Sequence, residues 1–224
     1  MNDNDASKDP PVNELNLYQA FRLMKLKNFD AAKELIRRSL KEAHDHNNIE
    51  TEALYHSALG LLYKLTGDYK KAYKSYQHAE QLLPDDLSLK ILTSILLVEE
   101  FHQYETAVRK LEKIYLTKLS DPAIAHHTAT TLAISYFHLG KKEKAKQLFK
   151  QILLLDFNLL RFVPNVDFKM VSLFISKNFE LGLCETFLEQ ALLLATKTND
   201  PTYSAVIQQL LIQLKIFKDS SKSP

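Results

Sequence analysis

Residues 53–84 read ALYHSALGLLYKLTGDYKKAYKSYQHAEQLLP. On each side of Thr66-Gly67-Asp68 the apolar residues recur at steps of three and four, the signature of two short amphipathic helices joined by a tight turn. Leu59, Gly60 and Tyr63 mark the first helix, and Ala72, Tyr76 and Ala79 the second. Small residues at a crossing let two helix backbones approach closely, so Gly60 is expected to face the second helix and Ala72 and Ala79 to face the first. Tyr63, Tyr69 and Tyr76 then fill the gaps between one unit and the next, and Pro84 stops the second helix.

Leu-Gly, Tyr, Gly-Asp-Tyr, Ala, aromatic, Ala and Pro at this spacing resemble the tetratricopeptide repeat. The resemblance implies an all-α fold, an α-α superhelix built as a solenoid of about five helix pairs closed by a C-terminal capping helix. Working outward, the small residue of each second helix serves as a ruler: Ala32, Ala72, Ala107 and Ala145 are spaced by 40, 35 and 38 residues, against a family unit of about 34. The excess falls in longer second helices or linkers, most plainly around His44 to Asn48. Leu132, Ala133, Tyr136, Gly140, Ala145 and Phe149 reproduce the landmarks in a fourth unit, started by Asp121-Pro122 as N-cap and first-turn proline. The first and third units are degenerate: they keep Ala20, Leu23, Phe29, Ala32 and Ile36, and Val98, Tyr104, Ala107 and Leu111, but Lys27 and His102 stand where the turn glycine belongs. The expected organisation is a disordered tail over 1–12 and a solenoid over 13–217, with units near 13–48, 53–86, 88–119 and 122–158. A divergent pair over 164–198, a capping helix over 201–217 and a frayed tail over 218–224 complete it. The cap answers a physical need, because the last unit otherwise exposes the face its neighbour would cover.

Composition fits. Hydrophobic residues make up 46% of the 224 and charged residues 25%, an ordinary globular balance. A formal charge of +2 is too small to drive nucleic-acid binding by counterion release. Cys184 is the only cysteine, which rules out an intrachain disulfide and fits a reducing compartment. The first eleven residues, MNDNDASKDPP, hold no apolar run and read as neither signal peptide nor anchor. No apolar stretch is long enough to span a bilayer, Lys90 interrupting the richest one. A soluble, cytoplasmic protein without membrane insertion is expected.

The resemblance implies that the first helix of each unit lines a concave face able to hold a peptide or a helix. In that register the groove positions are Leu17, Phe21 and Met24; Leu54, Ser57, Leu61 and Leu65; Leu89, Leu92 and Leu96; His127, Thr130, Ile134 and Phe137. Phe21, Leu61, Leu65, Leu92, Leu96 and Phe137 would be the anchors. The subfamily that grips the C-terminal carboxylate of large chaperones uses lysine, asparagine and arginine here. The matching positions carry Leu17 and Phe21, Ala58, and Leu89 and Thr93, which argues against that role. An apolar groove wants a cover, and three remain open: an apolar segment of a partner protein or peptide, the chain's own C-terminal helix (a self-occupied groove), or a second copy in a homodimer. The plain alternative is that some of these leucines are core.

Nothing catalytic stands out. Gly60, Gly67, Gly140 and Gly182 are isolated, with no phosphate-cradling loop or nucleophile elbow. Asp85-Asp86 and Glu99-Glu100 lie at helix ends, where capping explains them. His44 with His46, and His126 with His127, are spaced so that their rings diverge on a helix. No metal and no cofactor are expected. The lysine runs at 70–74 and 141–146 read as solvated helix faces. The expected function is a non-catalytic scaffold or adaptor for a partner segment; the alternative is a chaperone-like holder of a secreted or unassembled subunit.

Overall fold

The computed structural model describes residues 12–115, 122–154, 164–199 and 201–220. Among these, every regular element is an α-helix. In chain order they are α1 (Val12–Lys25), α2 (Phe29–Asp45), α3 (Ile49–Leu65), α4 (Tyr69–Leu82), α5 (Leu87–Glu99), α6 (Tyr104–Tyr115), α7 (Pro122–His138), α8 (Lys142–Ile152), α9 (Pro164–Ser176), α10 (Leu181–Thr198) and α11 (Pro201–Ser220). The tail expected over 1–12 lies outside the described residues except for Val12, which opens α1, and residues 221–224 lie outside them as well. The last helix continues past Phe217 to Ser220 because Lys218 pairs with Glu185 of α10 and the Ser220 hydroxyl donates to the Phe217 carbonyl at 3.0 Å.

One turn geometry ends five of these helices. A residue just past the helix takes positive φ, and the next N–H reaches five residues back: Asn28 to Leu23, Asn48 to Ala43, Asp68 to Tyr63, Lys141 to Tyr136 and Phe179 to Phe174, all at 2.8–2.9 Å. These bonds satisfy carbonyls that the helix end would otherwise leave open. Asn28, Asn48 and Asp68 then turn their side chains forward to accept from the N–H of Ala31, Thr51 and Lys71, so one residue closes a helix and caps the next. Gly67 adopts φ 78° without strain, whereas Lys27 at φ 59° and His102 at φ 53° carry a side chain in the left-handed region. The degenerate turn of the first unit therefore keeps the glycine's backbone without the glycine, whereas in the third His102 lies one residue further past its helix and the Gln103 N–H reaches six residues back to Leu97.

The chain forms two compact units, residues 1–96 and 97–224, and passes from one to the other within α5. In the first, α1 packs on α2 and α3, α2 on α3, and α3 on α4. Its tightest point is Gly60 of α3: a Cβ there would lie 2.6 Å from both Cδ1 and Cε1 of Tyr76, a residue of α4 with almost no exposed surface. Ala53, Ala58, Ala72 and Ala79 are likewise buried. In the second unit α6 and α8 pack on α7, and α9 touches α7, α10 and α11. Its centre is aromatic. Phe137, Phe149, Phe174 and Phe179 pack tilted or edge-on with ring centroids 4.9–5.5 Å apart, and Phe187 and Phe168 extend the cluster toward Tyr203 of α11. Buried Met170, Val171, Ile175, Cys184, Leu188 and Ala191 show that the divergent pair holds its helices by bulk rather than by landmark residues.

Two substitutions test this account. Gly60→Ala should lower stability by about 1–3 kcal/mol through the clash with Tyr76, although alanine is the better helix former by about 1 kcal/mol. Lys27→Gly should raise stability by about 0.5–1 kcal/mol by releasing the left-handed strain. Urea midpoints of the two variants beside the parent decide both, and a stabilised Gly60→Ala would show that the ring is free to move aside.

Candidate functional site

Asn48 and Asp86 start α3 and α5, the first helices of the second and third repeats. The Asp86 carboxylate accepts from the N–H groups of Ser88 and Leu89 at 2.7 and 3.1 Å. Between the two helices lies a cleft of about 450 Å³, lined by Asn48, Glu50, Thr51, Ala53, Leu54 and Ser57 from one side and by Leu83, Asp86, Ser88, Leu89 and Leu92 from the other. Its floor is firm, because Leu89 is buried with Ala53 and Ala79, and Leu82, Leu83 and Leu92 pack against that cluster. Three of the expected groove leucines, Leu54, Leu89 and Leu92, are thus brought to one place together with Ser57. Leu54 is 44% exposed and offers its side chain to a ligand, Leu92 is half-buried, and Leu89 is buried.

The remaining expected positions divide by burial. Leu61 and Leu65 follow Leu54 along α3 at helical spacing, half-buried and exposed respectively. On α1, Leu17 is half-buried and Phe21 exposed, but Met24 is buried. Leu96, read from the sequence as an anchor, has no exposed surface. In the second unit Thr130 and Ile134 are buried and His127 is half-buried. Phe137, another expected anchor, is half-buried and committed to Phe174 and Phe179. The reason is common to all: a first helix contacts several neighbours, so a position on its apolar face is as apt to meet its own repeat as a ligand.

Part of each lysine run is engaged within the chain. Lys71 pairs with Asp68 and lies 5.6 Å from the centre of the Tyr63 ring, which Lys33 approaches at 5.5 Å. Lys144 sits 4.9 Å from the Tyr136 ring centre and 3.4 Å from Glu112, whose carboxylate accepts from the Tyr136 hydroxyl at 2.5 Å. That hydroxyl, more than the lysine, holds the Glu112 carboxyl below its usual range. Lys146 bonds Glu180 at 2.6 Å.

One cluster was missed by the histidine spacings weighed above. Glu52 and His56 lie one turn apart on α3, and His78 of α4 brings its ring to 4.1 Å from that of His56, centroid to centroid. Glu52 Oε1 is 3.9 Å from His56 Nε2 and 3.5 Å from His44 Nδ1. Burial, and then the neighbouring His78, push the His56 imidazole down to about 4, against the pull of Glu52. The signal available in the sequence was the i, i+4 pair Glu52 and His56; that His78 would join it depends on how α3 and α4 cross. His46 instead bonds the Glu42 carbonyl at 2.7 Å, and the adjacent His126 and His127 rings lie edge to face at 6.4 Å.

Comparison with known proteins agrees with this architecture. The tetratricopeptide repeat family matches residues 53–86 and again residues 127–159. No curated protein matches the chain in sequence. Among solved structures, a thermophilic TPR protein of Thermus thermophilus superposes with a TM-score of 0.64 at 18% identity, covering 89% of this chain and 99% of that one. The type IV pilus biogenesis factor PilW gives 0.62 at 14% identity, over 91% of this chain and 93% of its own. PilF of Pseudomonas aeruginosa gives 0.58 at 17% identity, over 93% and 97%. At such identities the likeness is one of fold: all-α, of the tetratricopeptide solenoid class. That fold is in general a scaffold for protein–protein interaction. Residues 53–86 and 127–159 are thus matched as tetratricopeptide repeats, set in a fold of that class.

Proposed function

We propose that the chain is a non-catalytic adaptor of the cytoplasm that holds an apolar segment of a partner protein in the cleft between α3 and α5. The observation that carries this reading is the cleft itself: an open, leucine-lined groove on a rigid floor, at the place where two first helices face each other. Leu54 and Leu92 offer apolar contact, while Glu50 and Asp86 add carboxylates that favour a basic flank on the ligand. Leu61 and Leu65 lengthen the apolar stripe along α3. Among the described residues no helix is long and apolar enough to cross a membrane.

The reading is checked with a displayed peptide library panned against the purified chain and against its Leu54→Glu variant. Sequences with apolar residues at helical or extended spacing should be enriched on the parent. Their affinity for the variant should fall at least about tenfold, the loss expected when a leucine contact worth roughly 1.5–3 kcal/mol is replaced by a charge. Leu54→Glu should leave the urea midpoint nearly unchanged, whereas Leu89→Ala, in the floor, should cost about 2–4 kcal/mol. A broad enrichment of unrelated apolar peptides would mark a chaperone-like holder. Ligands indifferent to Leu54, or no apolar enrichment, would overturn the reading.

A further inference from the structure

Glu52, His56 and His78 each turn one ligand-type atom toward a common point, and all three atoms lie within 4.8 Å of one another. The arrangement follows from the fold. Residues four apart on a helix share a face, which aligns Glu52 with His56 on α3. The close crossing of α3 and α4, whose tightest point is Gly60 against Tyr76, carries His78 to the same face. The two imidazoles meet at 4.1 Å between centroids, tilted by 41°. Glu52 and His56 are mostly covered, with side-chain exposures of 15% and 17%, while His78 is exposed. The point is therefore partly dry yet open to an entering ion.

From this geometry we propose that Glu52, His56 and His78 form a binding site for one transition-metal ion of the zinc(II) class, bridging the two helices of the second repeat. Two imidazoles and a carboxylate are a borderline donor set, suited to zinc and its neighbours rather than to calcium or magnesium, which prefer oxygen alone. Tetrahedral zinc with bonds of about 2.0–2.1 Å sets its donors about 3.4 Å apart, so the three atoms must draw in by up to roughly an ångström and a half. Torsion of the Glu52 side chain and of the exposed His78 ring supplies that movement. A water completes the fourth position. His44, 3.5 Å from Glu52 and largely exposed, orients the carboxylate from outside. The bound ion ties α3 to α4, on a face of α3 other than the one carrying Leu54, so the site and the cleft are independent and either can fail without the other.

The test uses the untagged full chain, stripped of metal by a chelator, with zinc chloride as the titrant in calorimetry and cobalt(II) as an optical reporter. One ion per chain should bind with a dissociation constant in the micromolar range or tighter, raise the thermal midpoint, and give visible cobalt bands of low-coordinate character. His56→Gln and His78→Gln should each weaken binding at least about tenfold, while His46→Gln should leave it unchanged. Circular dichroism establishes that each variant folds; if one does not, Glu52→Gln replaces it. Millimolar binding, binding that survives loss of both His56 and His78, or an unmoved thermal midpoint at saturation would overturn the proposal.

Discussion

The structure depends on a turn in which one residue accepts left-handed backbone so that the next can bond five residues back and cap the following helix. That geometry reverses the chain within three residues and brings the small faces of two helices together at a set angle. Without it Gly60 would not meet Tyr76, nor would α5 start beside α3 with its N-terminal amides held by Asp86. The turn tolerates Lys27, Asn47 and Asn178 as well as glycine, because the burial that follows outweighs a strain of roughly 1–2 kcal/mol at any one residue. Landmark residues can therefore fade from repeat to repeat while the backbone does not.

This explains what was legible in the sequence. The all-α class and the helix pairs follow from apolar period, turn punctuation and the ruler of small residues, all of them local. Gly60 could be placed at the crossing in advance because the repeat sets that geometry, but Tyr76, expected between units, packs on Gly60 within its own. The divergent pair α9 and α10 was legible only by length and period. Its packing comes from a cluster of phenylalanines, and rings can satisfy one another in many arrangements that no spacing specifies.

The groove was legible in part, for a reason visible along α5. There Leu89, Ile91, Ile95, Leu96, Leu97 and Val98 are all buried and Thr93 and Ser94 are buried with them. Thr93 survives burial by donating to Glu80 at 2.8 Å, and Ser94 by donating to the Lys90 carbonyl at 2.7 Å. A helix so enclosed has no single apolar stripe, and its period does not distinguish the side facing a ligand from the side facing its own repeat. The distinction depends on the partner helix: Leu54 stays exposed where it lines the cleft, and Leu89 disappears because Ala53 and Ala79 leave room for it.

The histidine cluster shows the same limit at the level of chemistry. A spacing rule finds ligands that share one helix and passes over those assembled across two. Glu52 and His56 satisfy the rule, but a helix carrying one acid and one base four residues apart is ordinary, and it becomes a three-donor point only when α4 delivers His78. The close packing that Gly60 permits therefore has two consequences of different kinds. It fixes the floor from which the cleft is built, and on another face it sets two imidazoles and a carboxylate within a few ångströms. A chain that keeps a glycine at one crossing can in this way acquire a candidate metal site without altering the face it offers to a partner.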